Sequence, residues 1–91
     1  WAMCGYAEQL EWLETLNDVG LDETKAMMLR AARATCDFYL EHTPTCGVPY
    51  WDTGAPNLHR LGDYLDRAAE PFNDHEPVDS SAAAIAAQGL L

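Results

Sequence analysis

Apolar side chains recur at three- and four-residue steps over the first sixteen positions: Met3, Tyr6, Leu10, Leu13 and Leu16. That period puts them on one helix face and predicts a helix from residue 1 to about 16. The polar stretch "NDVG" (Asn17 to Gly20) breaks the pattern, with Gly20 free to adopt a positive φ. A second helix is predicted from Asp22, as N-cap, to about His42, with Glu23 in a first turn that favours negative charge. Leu29, Ala32, Cys36, Tyr39 and Leu40 form its expected apolar face, and Lys25, Arg33, Asp37 and Glu41 the opposite one. Pro44 and Gly47 end it, so residues 1–46 read as an antiparallel helical hairpin.

From Gly47 to Val78 neither the helical nor the strand period holds. Pro49, Pro56, Pro71 and Pro77 punctuate this stretch, and only "LHRLGDYLDRAAE" (Leu58 to Glu70) supports a short helix. So long an irregular segment within a domain tends to be functional or disordered. The aromatics Tyr50, Trp51, Tyr64 and Phe72 argue that it is ordered and packed. A third helix opens at Asp79, its expected N-cap, and continues through "SSAAAIAAQGLL". The small side chains Ala82, Ala83, Ala84, Ala86 and Ala87 allow a close approach of neighbouring helix backbones, as in a tightly packed inner helix.

The fold class is therefore all-α. The chain opens inside one apolar pattern and stops in a run of helix formers, so it is expected to be an internal segment of a longer protein. A hydrophobic fraction of 48% places it among folded rather than disordered chains. The net charge of −10 divides evenly: residues 1–46 carry 3 basic and 8 acidic side chains, and residues 47–91 carry 2 and 7. No basic stripe is left to displace counterions from phosphates, which excludes a nucleic-acid interface in this segment. No apolar run approaches the ~20 residues that span a bilayer. Cys4, Cys36 and Cys46 are an odd number without a close pair, and Cys4 and Cys36 read as small buried hydrophobes rather than a disulfide framework.

Trp1, Tyr50 and Trp51 with Asp52 and Asp79 are the most suggestive chemical set. Flat rings cover the C–H face of a pyranose, and carboxylates accept from its hydroxyls. The competing reading makes Tyr50 and Trp51 clamps that pin the loop to its own hairpin. Asp79 is likewise explained as a cap, or else its helix N-terminus holds an anionic ligand at a pocket rim. No metal or other cofactor is expected. Asp74, His75 and Glu76 are contiguous and cannot converge on one ion, and His42 and Cys46 lack partners at zinc spacing. Asp63 and Asp66 lack the register of a calcium loop, and Ser80–Ser81 lack a supporting His.

The stretch "GVPYWDTGAP", followed by "DSSAAAIAAQGLL", resembles the unsaturated glucuronyl hydrolases of glycoside hydrolase family 88. In that family a V-P-Y-W-D loop leads to D-S-S-A-A-A-I-A and a small-residue helix. The opening "WAMCGYAEQL" is similar to the end of the family's Arg-Gly-Gln-Ala-Trp helix, with Trp1, Gly5 and Tyr6 at matching places. The resemblance runs in order over essentially the whole chain, and departs from the family at the long insert Leu58–Val78. It implies an (α/α)6 barrel of which residues 1–91 supply a part: a helical hairpin over 1–46, a long loop over 47–78 and the start of the next helix over 79–91. It further implies release of 4,5-unsaturated uronic acid from lyase-generated oligosaccharides, glucuronyl or rhamnogalacturonyl, by hydration of the enol ether. The family's catalytic aspartates lie upstream of the Arg-Gly-Gln-Ala-Trp helix, so none of the residues here is assigned a catalytic role. Trp1 matches the ring that stacks on the substrate, whereas Tyr50, Trp51, Asp52 and Asp79 match positions that shape the barrel rim. A different class remains in play: a non-catalytic helical-repeat interaction module whose aromatics are packing anchors.

Overall fold

The computed structural model describes residues 1–91. It contains three α-helices, α1 (Ala2–Glu14), α2 (Asp22–Glu41) and α3 (Ser80–Leu90), together with 3-10 turns at Val19–Leu21, Leu58–Leu61 and Tyr64–Asp66. The only β pairing recorded is an isolated antiparallel bridge between Tyr50 and Val78, so the chain is all-α. No helix is long and apolar enough to cross a membrane. The chain divides into two compact units, Trp1–Phe38 with Ile85–Leu91, and Tyr39–Ala84.

In the first unit α1 ends two residues earlier than its apolar pattern. The Thr15 hydroxyl and amide both turn back to the Trp12 carbonyl, at 2.6 and 3.0 Å, and close the last turn. Two expectations for the connection need correction. The residue with positive φ is Asn17, at 48°, not Gly20; a short polar side chain tolerates that region too. The capping carboxylate is Asp18, whose Oδ1 accepts from the Gly20 amide at 2.9 Å, and Asp22 is already helical at φ −59° and ψ −41°. The 3-10 turn Val19–Leu21, capped by Asp18, thus leads directly into α2.

The predicted face of α2 is also rotated. Its half-buried positions include Met28, Ala32, Thr35, Cys36 and Tyr39. Leu29 and Leu40 lie about a quarter turn off that line and are exposed. Lys25, expected on the outer face, is largely covered and pairs with Glu14 across the turn at 3.5 Å. No residue of α2 is fully buried.

A close approach of α1 and α3 falls at Gly89. A Cβ there would stand 2.7 Å from the Cys4 nitrogen and 2.8 Å from the Met3 carbonyl carbon. Met3, Cys4 and Ala86 are buried in this unit. Cys4 is more than a small hydrophobe, because its Sγ donates to Glu8 Oε1 at 3.3 Å. That bond to a carboxylate, with burial, pushes the thiol above its usual value.

The second unit is built on the irregular stretch. Tyr50, Ala55, Leu58 and Leu61 form its buried core, with Tyr64, Ala69 and Val78 packed against it. Tyr50 and Tyr64 meet edge to face, centroids 5.7 Å apart. The helix expected within Leu58–Glu70 is instead two single turns, because Gly62 (φ 65°) breaks the backbone between them. Arg67 reaches back to the Leu61 carbonyl, the Thr45 amide bonds the Arg67 carbonyl at 3.1 Å, and the Ala69 amide bonds Cys46 Sγ at 3.2 Å. The Ala69 amide first, and the Val48 amide after it, hold the Cys46 thiol below its usual value. Phe72, expected to pack, is 94% exposed.

Candidate functional site

The two stretches that carry the aromatics and the third helix's cap are joined to each other. Around the Tyr50–Val78 bridge, the Trp51 amide donates to the Pro77 carbonyl at 3.0 Å and the Asp79 amide to the Pro49 carbonyl at 2.8 Å. Residues 49–51 and 77–79 therefore form a short antiparallel clasp, closed by a segment of more than twenty residues. Pro49 and Pro77 fit such a clasp because each contributes a carbonyl and neither needs a donor.

Within the clasp the side chains alternate in environment. Tyr50 is only 6% exposed, and its hydroxyl accepts the Glu70 amide at 3.1 Å, so its ring belongs to the loop core. Trp51 is 52% exposed and its indole Nε1 donates to Glu76 Oε2 at 2.5 Å. Asp52 is exposed beside it, and its Oδ1 accepts from the Gly54 amide at 2.7 Å in a tight turn. Asp79 caps α3 as expected: its Oδ1 accepts from Ser81 Oγ at 2.6 Å and from the Ala82 amide at 3.0 Å. Those bonds, the Ser81 hydroxyl first, hold its carboxyl below the usual range. The N-terminus of α3 is thus already occupied by a carboxylate, which opposes a second anion there. Trp1 lies in the first unit, directly before α1, and is 87% exposed.

The residue that sequence reasoning missed is Glu76. It is 4% exposed, and besides the Trp51 indole it accepts the Asn57 amide through Oε1 at 2.7 Å. These two donors, with the indole dominant, hold its carboxyl below the usual range against the opposing pull of burial. Asn73 sets the turn that delivers it. Its Oδ1 accepts the amides of His75 and Glu76, both at 2.8 Å, and its Nδ2 donates to the carbonyls of Glu70 at 2.6 Å and Glu76 at 2.8 Å. All four hydrogen-bonding positions of that side-chain amide are used. The "NDHEP" stretch is thus a turn that aims one carboxylate inward, and no three His, Cys, Asp or Glu side chains gather as a metal site.

These observations define an all-α chain that carries an exposed indole and carboxylate on an ordered, non-helical segment. No protein-family model, no curated protein and no solved structure matches it.

Proposed function

We propose that the chain is part of a glycoside hydrolase that removes 4,5-unsaturated uronic acid from the non-reducing end of lyase-generated oligosaccharides. The observation that carries this reading is the clasp. Of the two stretches that resemble family 88 hydrolases, "VPYWD" is held to the start of "DSSAAAIA" by the Asp79 amide donating to the Pro49 carbonyl, and the end of the insert joins the same clasp through Pro77 and Val78. A shared motif pair is expected to form one local structure, and here it does so with Trp51 and Asp52 left at the surface. In the same proposal α1, α2 and α3 are three of the twelve helices of an (α/α)6 barrel, and the segment 42–79 is a loop at the end that receives substrate.

The reaction so proposed begins with protonation of the C4=C5 double bond by an aspartic acid. Water adds at C5, and the resulting hemiketal opens to release the remaining sugar. A carboxyl group that gives and takes a proton is required, as in other glycoside hydrolyses, although the bond first attacked differs. The acid comes from helices outside residues 1–91. Trp1, with its ring exposed, is assigned to stacking on the unsaturated sugar.

The test is the ultraviolet absorbance of the C4=C5 bond when the full-length protein meets unsaturated uronyl disaccharides. The proposal expects steady loss of absorbance, and a KM raised at least tenfold by Trp1→Ala. Absorbance that stays at the buffer control across several disaccharides contradicts it.

A further inference from the structure

Glu76 lies in the insert that departs from the hydrolase pattern, and its burial calls for a reason. Its two oxygens are bound by neutral donors from different parts of the loop, the Trp51 indole and the Asn57 amide. A carboxylate is a costly group to bury unless its oxygens are hydrogen-bonded, and both of these are. What the carboxylate provides is directional: it holds the polar edge of the Trp51 ring. The main chain of Trp51 is fixed as well, through its amide to Pro77, and the main chain of Glu76 is fixed at both its amide and its carbonyl by two bonds of the Asn73 side chain. A half-exposed tryptophan is therefore held at backbone and ring edge together, with much of its surface open to solvent. Asp52, next in sequence, is also exposed and also oriented, through the Gly54 amide. Rings and side chains immobilised beforehand lose less freedom when a ligand arrives. An open indole beside an oriented carboxylate suits the C–H face and the hydroxyls of a pyranose.

We infer that Glu76 is a positioning residue that holds the Trp51 ring as a contact for a sugar unit of the substrate, with the Asp52 carboxylate accepting from one of its hydroxyls. The inference rests on the hydrolase reading for the identity of the sugar. The brace itself does not depend on that reading. Glutamine at position 76 retains one acceptor but presents an NH2 group to the second donor, so one of the two bonds is lost with little change of volume.

The experiment uses the full-length protein and two readouts. The first is the Trp51 indole N–H signal in a nuclear magnetic resonance spectrum, assigned by its disappearance in Trp51→Phe. It is expected to exchange slowly with water in the wild type and at least tenfold faster in Glu76→Gln. The second is hydrolysis of an unsaturated disaccharide. Glu76→Gln is expected to raise KM about fivefold with kcat within twofold, Trp51→Phe to do the same, and the double variant to do no more than either alone. Glu76→Asp, which keeps the charge, is expected to recover part of the lost affinity. Unchanged indole exchange in Glu76→Gln overturns the brace, and faster exchange with an unchanged KM overturns the sugar contact. Additive effects in the double variant show that Glu76 does not act through Trp51. A wild-type protein that leaves every disaccharide intact removes the hydrolase reading and the sugar contact with it, while the indole signal still decides the brace.

Discussion

The longest helix of the molecule has no fully buried residue, whereas the segment with no periodicity at all has a closed core. Along α2, Met27, Leu29, Phe38 and Leu40 remain exposed. Between Tyr50 and Leu61 an irregular backbone buries Tyr50, Ala55, Leu58 and Leu61 together, with Tyr64 packed against them and Arg67 and Glu70 hydrogen-bonded to Leu61 and Tyr50. Regular backbone satisfies its own hydrogen bonds wherever it lies, so a helix can form with little tertiary cover. An irregular segment must find a partner for each group, and that requirement draws it into a compact unit. The loop is therefore the part of this chain whose shape is set most completely by its own residues.

That contrast is easiest to break in the loop core. Leu61→Ala removes buried side-chain volume from a site ringed by Tyr50 and Leu58, and is expected to cost about 2–5 kcal/mol in chemical denaturation of the full-length protein. A cost below about 0.5 kcal/mol would mean that the loop has no core worth the name. In the first unit the sensitive place is Gly89, where a Cβ meets main chain rather than a movable side chain. Gly89→Ala is expected to lower stability by about 1–3 kcal/mol, and an unchanged melting temperature would show that the backbones do not approach as described. Tyr50→Phe keeps the edge-to-face pair and leaves the Glu70 amide without its acceptor, for a loss of about 0.5–1.5 kcal/mol.

Carboxylates of the second unit and the Cys4 thiol of the first respond to opposite ends of the pH scale. Glu76 and Asp79, both in the second unit, have folded-state values below those of the unfolded chain. Their contribution is present above the unfolded carboxylate range and is lost as pH falls through the depressed folded values. Cys4 in the first unit is shifted upward, so its contribution is complete below the unfolded thiol value and is lost as pH rises through the folded one. Melting temperatures across pH should therefore fall at the acid limb less steeply in Glu76→Gln than in the wild type. An acid limb identical in both would remove Glu76 from that account. The smallest effect is expected at Phe72: truncation to Ala at this exposed loop position changes stability by less than about 0.5 kcal/mol.

The three helices were legible in the sequence because period and cap signals act over a few residues. The Asp79 cap is one such signal, and its two bonds are made within three positions. The capping aspartate was misplaced for the same reason: Asp18 and Asp22 offer the same chemistry, and it is Asp18 that caps, at the 3-10 turn that precedes α2. Gly89 carried no local signal, since its close neighbours Met3 and Cys4 stand at the other end of the chain. Of the candidate site, the aromatics and carboxylates were visible, but the division of labour was not. Tyr50 turns inward and Trp51 outward because the clasp alternates its side chains. Glu76 was hidden because its partners lie 19 and 25 positions away, at Asn57 and Trp51. Its one local trace is Asn73, a residue that commonly organises a turn two or three positions ahead.

The proposed hydrolase recognises the C4=C5 bond of an unsaturated uronyl unit. The most direct measurement gives the full-length protein a matched pair of disaccharides, one with that double bond and one saturated, and follows free sugar released from each. Release from the unsaturated member alone is the result predicted. Release from both at similar rates, or from neither, would contradict the claim.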